Sequence, residues 1–292
     1  MRRLGLAIVL IQPALAVEVA RAQPLIAPPA PFATAARPAS GLRLASPWLR
    51  TGWEDGLAEV AEYDLRQFRY GNLHPGTVTL VAVREAMDAT RAVKAAPGAT
   101  ATVPVLKLHA IRSFQTGVYR YDQSSFQLVR QSDGVPLRWL ITSHEWCGAA
   151  GKSWINGGPL MVSSYFDGHG DVRQDLDLGM DAVPADSLWW WTRAWVAAGS
   201  PATALRVVPS QLEARCVDTT PQAATIAAAA SRGQVVVTLR RDRLVDRLTI
   251  AADPPHALQS WEQADGSVLT LRRVRRFDYW AHHDPQHLVP LP

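Results

Sequence analysis

Between Val135 and Lys152 the chain reads VPLRWLITSHEWCGAAGK, and Ser143, His144, Glu145, Trp146 and Cys147 form its densest run of reactive side-chain types. A hydroxyl, an imidazole, a carboxylate and a thiol so close together suggest hydrolysis, metal binding or thiol exchange, but the spacing limits each. The histidine pair of a zinc-protease helix needs a second His four residues after His144, and Gly148 stands there. A Cys-x-x-Cys redox pair needs a second Cys where Ala150 stands. Cys147 as a nucleophile would call on a distant base, His109 or His169. Glu145 is either half of a structural ion pair, with Lys107 or an Arg of a neighbouring strand, or a catalytic acid. The candidate catalytic residues are therefore Glu145, with His144 or Cys147. No G-x-S-x-G elbow, phosphate loop or dinucleotide fingerprint is present.

Read as a strand from Leu137 to Cys147, the stretch places Leu137, Trp139, Ile141, Ser143, Glu145 and Cys147 on one face, and His144 and Trp146 on the other. An apolar wall thus turns polar near Gly148, and a regular strand separates His144 from Cys147.

The surrounding sequence is a succession of strand patterns. Leu57–Tyr70 and Thr77–Glu85 flank a turn cluster at 71–76. Val103–Phe114 and Val118–Arg130 lead into the central stretch across Gly-containing turns, so these neighbours pair antiparallel. Gly148 to Gly179 is Gly-rich and polar, with strands expected near Leu160–Phe166 and Val172–Leu178. Further strands are expected at Ala202–Val208, Gln234–Arg240, Leu244–Ala251, Ala257–Gln263 and Ser267–Tyr279, whereas Ala223–Ala230 fits a strand or a helix. One helix is indicated, with Asp186 or Ser187 as N-cap, Leu188–Ala198 as body and Gly199-Ser200-Pro201 as stop. Leu188, Trp191, Trp195 and Ala198 line one of its sides. The pattern predicts a mainly β protein: a large curved antiparallel sheet or partly closed β-barrel with one prominent helix at about residues 186–198.

Composition sets the context. Hydrophobic residues make up 48% of the chain, enough for a core, and the net charge of +4 with no recognition motif argues against nucleic acid. Eight arginines (240, 241, 243, 247, 272, 273, 275 and 276) make a basic C-terminal region, read as a solvated sheet face or as an attraction for anionic head-groups and glycans. Met1-Arg2-Arg3, the apolar run to Ala20 and the small residues around Arg21 read as a signal peptide over 1–22, cut after Ala22 or Ala16. A Pro/Ala-rich linker (23–47), a single β-rich domain (48–280) and a tail (281–292) follow. No later run approaches the roughly 20 apolar residues of a membrane span. In an oxidising compartment Cys147 and Cys216, the two cysteines, become a candidate disulfide. The tail's His282, His283, Asp284 and His287 read as a flexible end rather than a metal site.

Eleven tryptophans are many for this length. Trp189, Trp190 and Trp191 are consecutive and cannot share one helix face, so one of them is expected to meet a second surface, a cavity or a partner. Trp139, Trp146, Trp190, Trp191 and Trp195 are the candidate ligand-binding residues, for an apolar or sugar-stacking ligand.

The series WEDGLAE (53–59), RYG (69–71), SFQTGVY (113–119) and SHEWCG (143–148) resembles a group of uncharacterised exported bacterial proteins, many of them lipid-anchored. The resemblance is firm from Trp53 to Lys152 and loose over the C-terminal strands. It implies export but carries no catalytic residue, and this chain departs from the group in having no Cys to anchor a lipid near residue 22. More distantly, the strands ending in Phe277-Asp278-Tyr279-Trp280 look like periplasmic half-barrels that carry lipoproteins or lipids.

Three readings follow. The first is a non-enzymatic periplasmic binder or carrier of an amphipathic envelope component (lipid, lipoprotein or glycan), with the helix as lid and no cofactor. The second is an envelope hydrolase using Glu145 with His144 or Cys147, and the third a structural or assembly factor. Mass spectrometry of the periplasmic fraction is expected to find a mature N-terminus at Gln23, and an intact Met1 terminus in the cytoplasm would refute export.

Overall fold

The structure, a computed structural model, describes Leu44 and residues 46–288 except 167, 169, 177, 179 and 180. The segment read as a signal peptide and most of that read as a linker therefore lie outside the described residues. Alternating apolar and polar residues build the strands β1 (Ala58–Arg69), β2 (Asn72–Asp88), β3 (Val93–Lys94), β4 (Thr102–Thr116), β5 (Tyr119–Arg130), β6 (Pro136–Glu145), β7 (Gly148–Ile155), β8 (Leu160–Ser164) and β9 (Gly170–Gln174). After a connection come β10 (Ala182–Pro184), β11 (Leu205–Val208), β12 (Gln222–Ser231), β13 (Gln234–Arg241), β14 (Leu244–Ala251), β15 (Leu258–Glu262) and β16 (Val268–Phe277). They form one curved sheet in the order β10-β11-β12-β13-β14-β15-β16-β1-β2-β4-β5-β6-β7-β8-β9, with β3 appended to β2. β10 and β11 are parallel and every other pair is antiparallel.

Turn chemistry sets the hairpins and corrects the first of them. Tyr70 (φ 50°) and Gly71 (φ 76°) are both left-handed, as a two-residue turn of the primed type requires, so β2 starts at Asn72 and runs through Pro75 and Gly76. Gly76 has no room for a side chain: a Cβ there would lie 2.3 Å from the Ser113 carbonyl on β4. The Gly-rich stretch after Gly148 holds a strand the pattern did not show, β7. Its first residue, Gly148, leaves room for the Tyr165 ring, which lies over it 2.6 Å from where a Cβ would sit. The alanine-rich segment is strand β12.

The helix α2 (Leu188–Ala197) runs as expected and stops as expected: Gly199 (φ 84°) donates to the Val196 carbonyl and Ser200 to that of Trp195. Its start differs, because a single 3-10 turn (Ala185–Ser187) precedes it and neither Asp186 nor Ser187 caps it. The Ser187 hydroxyl donates instead to Gln127 on β5. Its surroundings differ more. Every residue from Leu188 to Trp195 is buried, Thr192 and Arg193 included, so the helix is a plug inside the curve of the sheet and not a lid over it. A one-turn helix, α1 (Pro47–Arg50), packs on it. Leu44 and Ser46 are buried too, and the Ser46 hydroxyl donates to the Ala194 carbonyl, so the core begins inside the segment read as linker.

At the centre of this core lies an ion pair. Arg193 of α2 meets Glu59 of β1 with two hydrogen bonds of 2.6 and 3.0 Å, and its remaining N–H groups donate to the His256 and Pro255 carbonyls. The Trp48 indole covers the guanidinium at 4.8 Å. Burial disfavours the Arg193 charge, but Glu59 outweighs it and holds its pKa above the ordinary value.

The basic C-terminal strands are neutralised in place. Six of the eight arginines pair with carboxylates: Arg241 with Asp246, Arg247 with Glu262, Arg272 with Asp64, Arg273 and Arg275 with Glu62, and Arg276 with Asp55. This arrangement is cross-strand charge matching rather than a free cationic face. In the tail, short 3-10 turns occupy Tyr279–Ala281 and Pro285–His287.

Glu59→Ala is expected to cost about 3–5 kcal/mol in denaturant unfolding, because it leaves the Arg193 charge buried and unpaired. A loss under about 1 kcal/mol, the range of an exposed pair, would show that the pair does not hold the plug.

Candidate functional site

The turns β1–β2, β4–β5 and β6–β7 and the β8–β9 connection lie at one end of the sheet, as the registers Arg69↔Asn72, Thr116↔Tyr119, Glu145↔Gly148 and Ser164↔Gly170 require. Six of the twelve exposed large hydrophobic side chains among the described residues sit in these turns or within two residues of them: Phe68, Tyr70, Leu73, Val118, Trp146 and Tyr165. Trp146 is 75% exposed and Tyr165 79%. Three of the four short motifs noted in the sequence (RYG, SFQTGVY and SHEWCG) meet at this rim, although they are far apart in the chain.

Under the exposed rings lies a cluster of phenols. The Tyr70 and Tyr121 hydroxyls are 2.8 Å apart, Tyr119 donates to Tyr70 at 3.3 Å, and Tyr121 lies 3.4 Å from Tyr119. Tyr121 stacks on Phe114 (4.7 Å, 3° between planes), and Tyr119 leans on Trp146 at 6.5 Å. Arg69 lies over both Tyr70 and Tyr121, at 5.1 and 5.3 Å, while its guanidinium binds both oxygens of Glu213. Burial raises the Tyr121 pKa, and hydrogen bonds with Tyr119, Tyr70 and Glu145 add to that. The same network lowers that of Tyr119, through Tyr121 first and Tyr70 second. Flat ring faces beside a knot of hydroxyls can stack on an apolar or sugar surface while exchanging hydrogen bonds with it.

The sequence-derived candidates separate on this geometry. The two-faced reading of β6 holds from Leu137 to Ser143, which alternate buried with their half-exposed neighbours. The strand ends at Glu145, however, and Trp146-Cys147 is the hairpin turn, so Cys147 does not share the Glu145 face. Glu145 meets the Tyr121 hydroxyl, and Lys107, the cation named for it beside an Arg of a neighbouring strand, pairs with Glu85. His144 is exposed beside the turn, and no hydrogen bond joins it to Cys147. His109 meets Phe126 edge-to-face at 5.6 Å, and His169 lies outside the described residues. The disulfide is a correction: Cys147 and Cys216 are both free thiols, one in the exposed rim turn and the other half-buried against the Trp139 cluster. Of the five tryptophans, Trp146 is open to solvent. Trp139, Trp190, Trp191 and Trp195 are packed in the core, where Trp139 bonds Ser125 and Trp190 bonds Gln127. Among the described residues no group of three or more His, Cys, Asp or Glu is placed to hold a metal, the tail histidines included.

Below the rim, the segment 209–220 crosses the concave face as a strap. Inward-facing side chains of three strands grip its carbonyls: Gln123 of β5 donates to Leu212, Lys152 of β7 to Arg215 and Ser164 of β8 to Ala214. Lys152 has Gln211 Oε1 as its other acceptor, at 3.3 Å. Burial lowers its pKa to about 8, against the attraction of Asp186, Cys216 and Glu213. Burial likewise raises Asp186, although Ser210 and the Gln211 N–H of the strap stabilise its charge. Arg112, buried and shifted down by desolvation, donates only to the amide oxygens of Gln67 and Gln263. A cavity of about 20 Å³, the size of one water, lies between Arg112, Asp186, Ser125, Gln263 and strap residue Leu212. The motifs carry Tyr70 and Tyr119, but nothing in the spacing singled out Tyr121, Tyr165, Arg112, Lys152 or Asp186.

No protein-family model matches the chain, and no curated protein does. Among solved structures, a β-barrel-like protein of the domain of unknown function DUF1849 from Brucella abortus is similar over 76% of this chain and 98% of its own, with 9% sequence identity and a TM-score of 0.45.

Thiol counting on the denatured, unreduced protein is expected to find two free thiols, and in the native protein Cys147 should react well before Cys216. A count of zero would restore the disulfide. A second expectation concerns Lys152. Its native pKa of about 8 lies below the 10.5 of an unfolded lysine. Between these values the unfolded chain holds a proton that the native chain lacks, so the contribution of Lys152 is full above pH 10.5 and lost as pH falls through about 8. The stability difference between wild type and Lys152→Met should therefore depend on pH across that window. A flat difference would show an ordinary lysine.

Proposed function

We propose that this protein is an exported binding protein that holds an amphipathic component of the cell envelope at its aromatic rim, outside the sheet and not within it. The observation that carries this reading is the gathering of exposed Trp146, Tyr165, Tyr70, Val118, Phe68 and Leu73 at one end, over the hydroxyls of Tyr119 and Tyr121. A contiguous apolar patch is costly to leave in water and marks a contact surface. Aromatic rings next to hydroxyls suit ligands that are apolar on one side and polar on the other. The motif resemblance and the pattern at Met1–Ala22 support an envelope location.

A carrier of the enclosing kind is less well supported, since α2 fills the space that such a ligand would need. The hydrolase reading lacks a nucleophile–base contact among Glu145, His144 and Cys147.

Calorimetric titration with dodecyl maltoside, below its micelle concentration, tests the proposal. The Trp146→Ala/Tyr165→Ala double variant is expected to bind about tenfold more weakly or worse, the loss typical of aromatic anchors, with an unchanged melting temperature. Equal binding by the double variant would remove the rim from the function.

A further inference from the structure

Two cations and one anion lie buried beneath the strap, and their pairing is unusual. Arg112 contacts only the neutral oxygens of Gln67 (2.6 Å) and Gln263 (3.0 Å), and Lys152 only those of Gln211 and Arg215. The acid between them, Asp186, is engaged by Ser210 and the Gln211 N–H, both on the strap. The enclosed groups thus carry one more positive than negative charge, in a place where an unpaired charge is expensive. The strap that supplies these neutral partners is held by side chains and packing and not by strand pairing. Among the described residues, no backbone–backbone hydrogen bond ties 209–221 to a strand. Each of its links involves a side chain: Gln123, Lys152, Ser164 and Gln174 of the sheet donate to its carbonyls, Ser210 and the Gln211 N–H bind Asp186, Thr219 donates to the Asp175 carbonyl, and the part-exposed Arg69–Glu213 pair closes the rim. Segments held in this way open at lower free energy than paired strands.

We infer that the strap is a gate, and that the site beneath it takes the anionic head of an amphiphile, a carboxylate or a phosphate, whose apolar tail rests on the rim. This rests on the rim-binding reading and names its ligand class. Displacing Gln211 and Arg215 removes both acceptors of Lys152 at once, and the incoming anion replaces them. Withdrawing Leu212 opens the one-water cavity toward Arg112 and Asp186. Breaking the Arg69–Glu213 clasp frees a third cation at the entrance, beneath Tyr121. The site therefore holds its excess positive charge on neutral partners when closed, and that excess grows as the strap carries Glu213 away from Arg69. The order of events also makes the gate selective: a neutral amphiphile can occupy the rim, but its oxygens would only replace the neutral acceptors Lys152 already has, whereas an anion adds a charge-assisted bond.

The test uses the full chain with Cys147→Ser, so that Cys216 on the strap is the single thiol, and three probes below their micelle concentrations: dansyl-undecanoate, decyl phosphate and decyl maltoside. Opening is read from the rate at which Cys216 reacts with a maleimide. Either anionic probe is expected to speed labelling about tenfold or more, as exposure of a locally protected group does, while decyl maltoside leaves the rate unchanged. A response to dansyl-undecanoate alone or to decyl phosphate alone supports the gate and identifies its head group. Lys152→Met is expected to bind the anionic probes about tenfold more weakly and decyl maltoside normally, since it removes one charged partner. The Cys216 rate in the Lys152-intact protein keeps the proposal testable if that variant does not fold. Anionic probes that bind without changing the Cys216 rate overturn the gate, while the rim reading stands. Failure of all three probes to bind overturns the rim reading and the gate with it.

Discussion

The buried pair of Glu59 and Arg193 is the contact on which the architecture turns. A sheet of this size has to curl, and a curled sheet needs something to curl around. Here that object is α2, apolar on nearly every side, which by shape alone could slide or rotate among the indoles that surround it. One guanidinium gripped by a carboxylate at two points, with two carbonyls behind it and an indole over its face, removes that freedom. A bidentate pair has one geometry, so the depth and rotation of the plug are set relative to β1. The other polar contacts of the plug region, Ser187 and Trp190 with Gln127 and Ser46 with Ala194, then fall into place around it. The pair acts less as a source of net stability than as a registration mark, because a well-packed apolar substitute could fill the same volume.

The plug also explains the division of labour within the molecule. With the interior between β1, β5, β14 and β15 filled, ligand chemistry is displaced to the ends of the strands, where the turns gather. One end carries the aromatic rim. The concave face nearest that rim, over β5 to β8, is covered by a strap held through side chains rather than by strand pairing. The molecule thus joins a rigid half built by ladders and a helix to a softer half in which polar side chains hold a chain segment by its carbonyls.

Much of the first half was legible in sequence, and the reasons are local. Alternation of apolar and polar residues fixed the faces of β6, and Gly199-Ser200-Pro201 marked the end of α2. What escaped depends on distant partners. Gly148 looks like loop composition until Tyr165 is seen lying on it. The tryptophans of α2 suggested an exposed lid, because periodicity along one helix cannot report that the sheet encloses it on every side. Cys147 and Cys216 were paired by elimination, a rule of counting that carries no information on distance. The rim was half legible: its motifs were visible as words, but their convergence is a property of hairpin register. Lys152 and Arg112 gave no signal at all, since a basic residue in an alternating strand is ordinarily on the wet face.

The position of β16 in the sheet has a consequence in time. It lies between β15 and β1, pairing Phe277 with Ala58 across nearly the whole chain. As the chain emerges N-terminus first, β1 has β2 on one side and nothing on the other until β16 follows. A long strand edge beside an unfinished core is a template for pairing with another chain. Such a polypeptide is vulnerable until β16 arrives and gains its seam then, in a closure that is slow because its partners are remote in sequence. The alternating charges of that seam, Glu62 and Asp64 facing Arg272, Arg273 and Arg275, then serve a purpose beyond cohesion. They give the waiting edge a code that its own last strand matches and a second copy of β1 would repel.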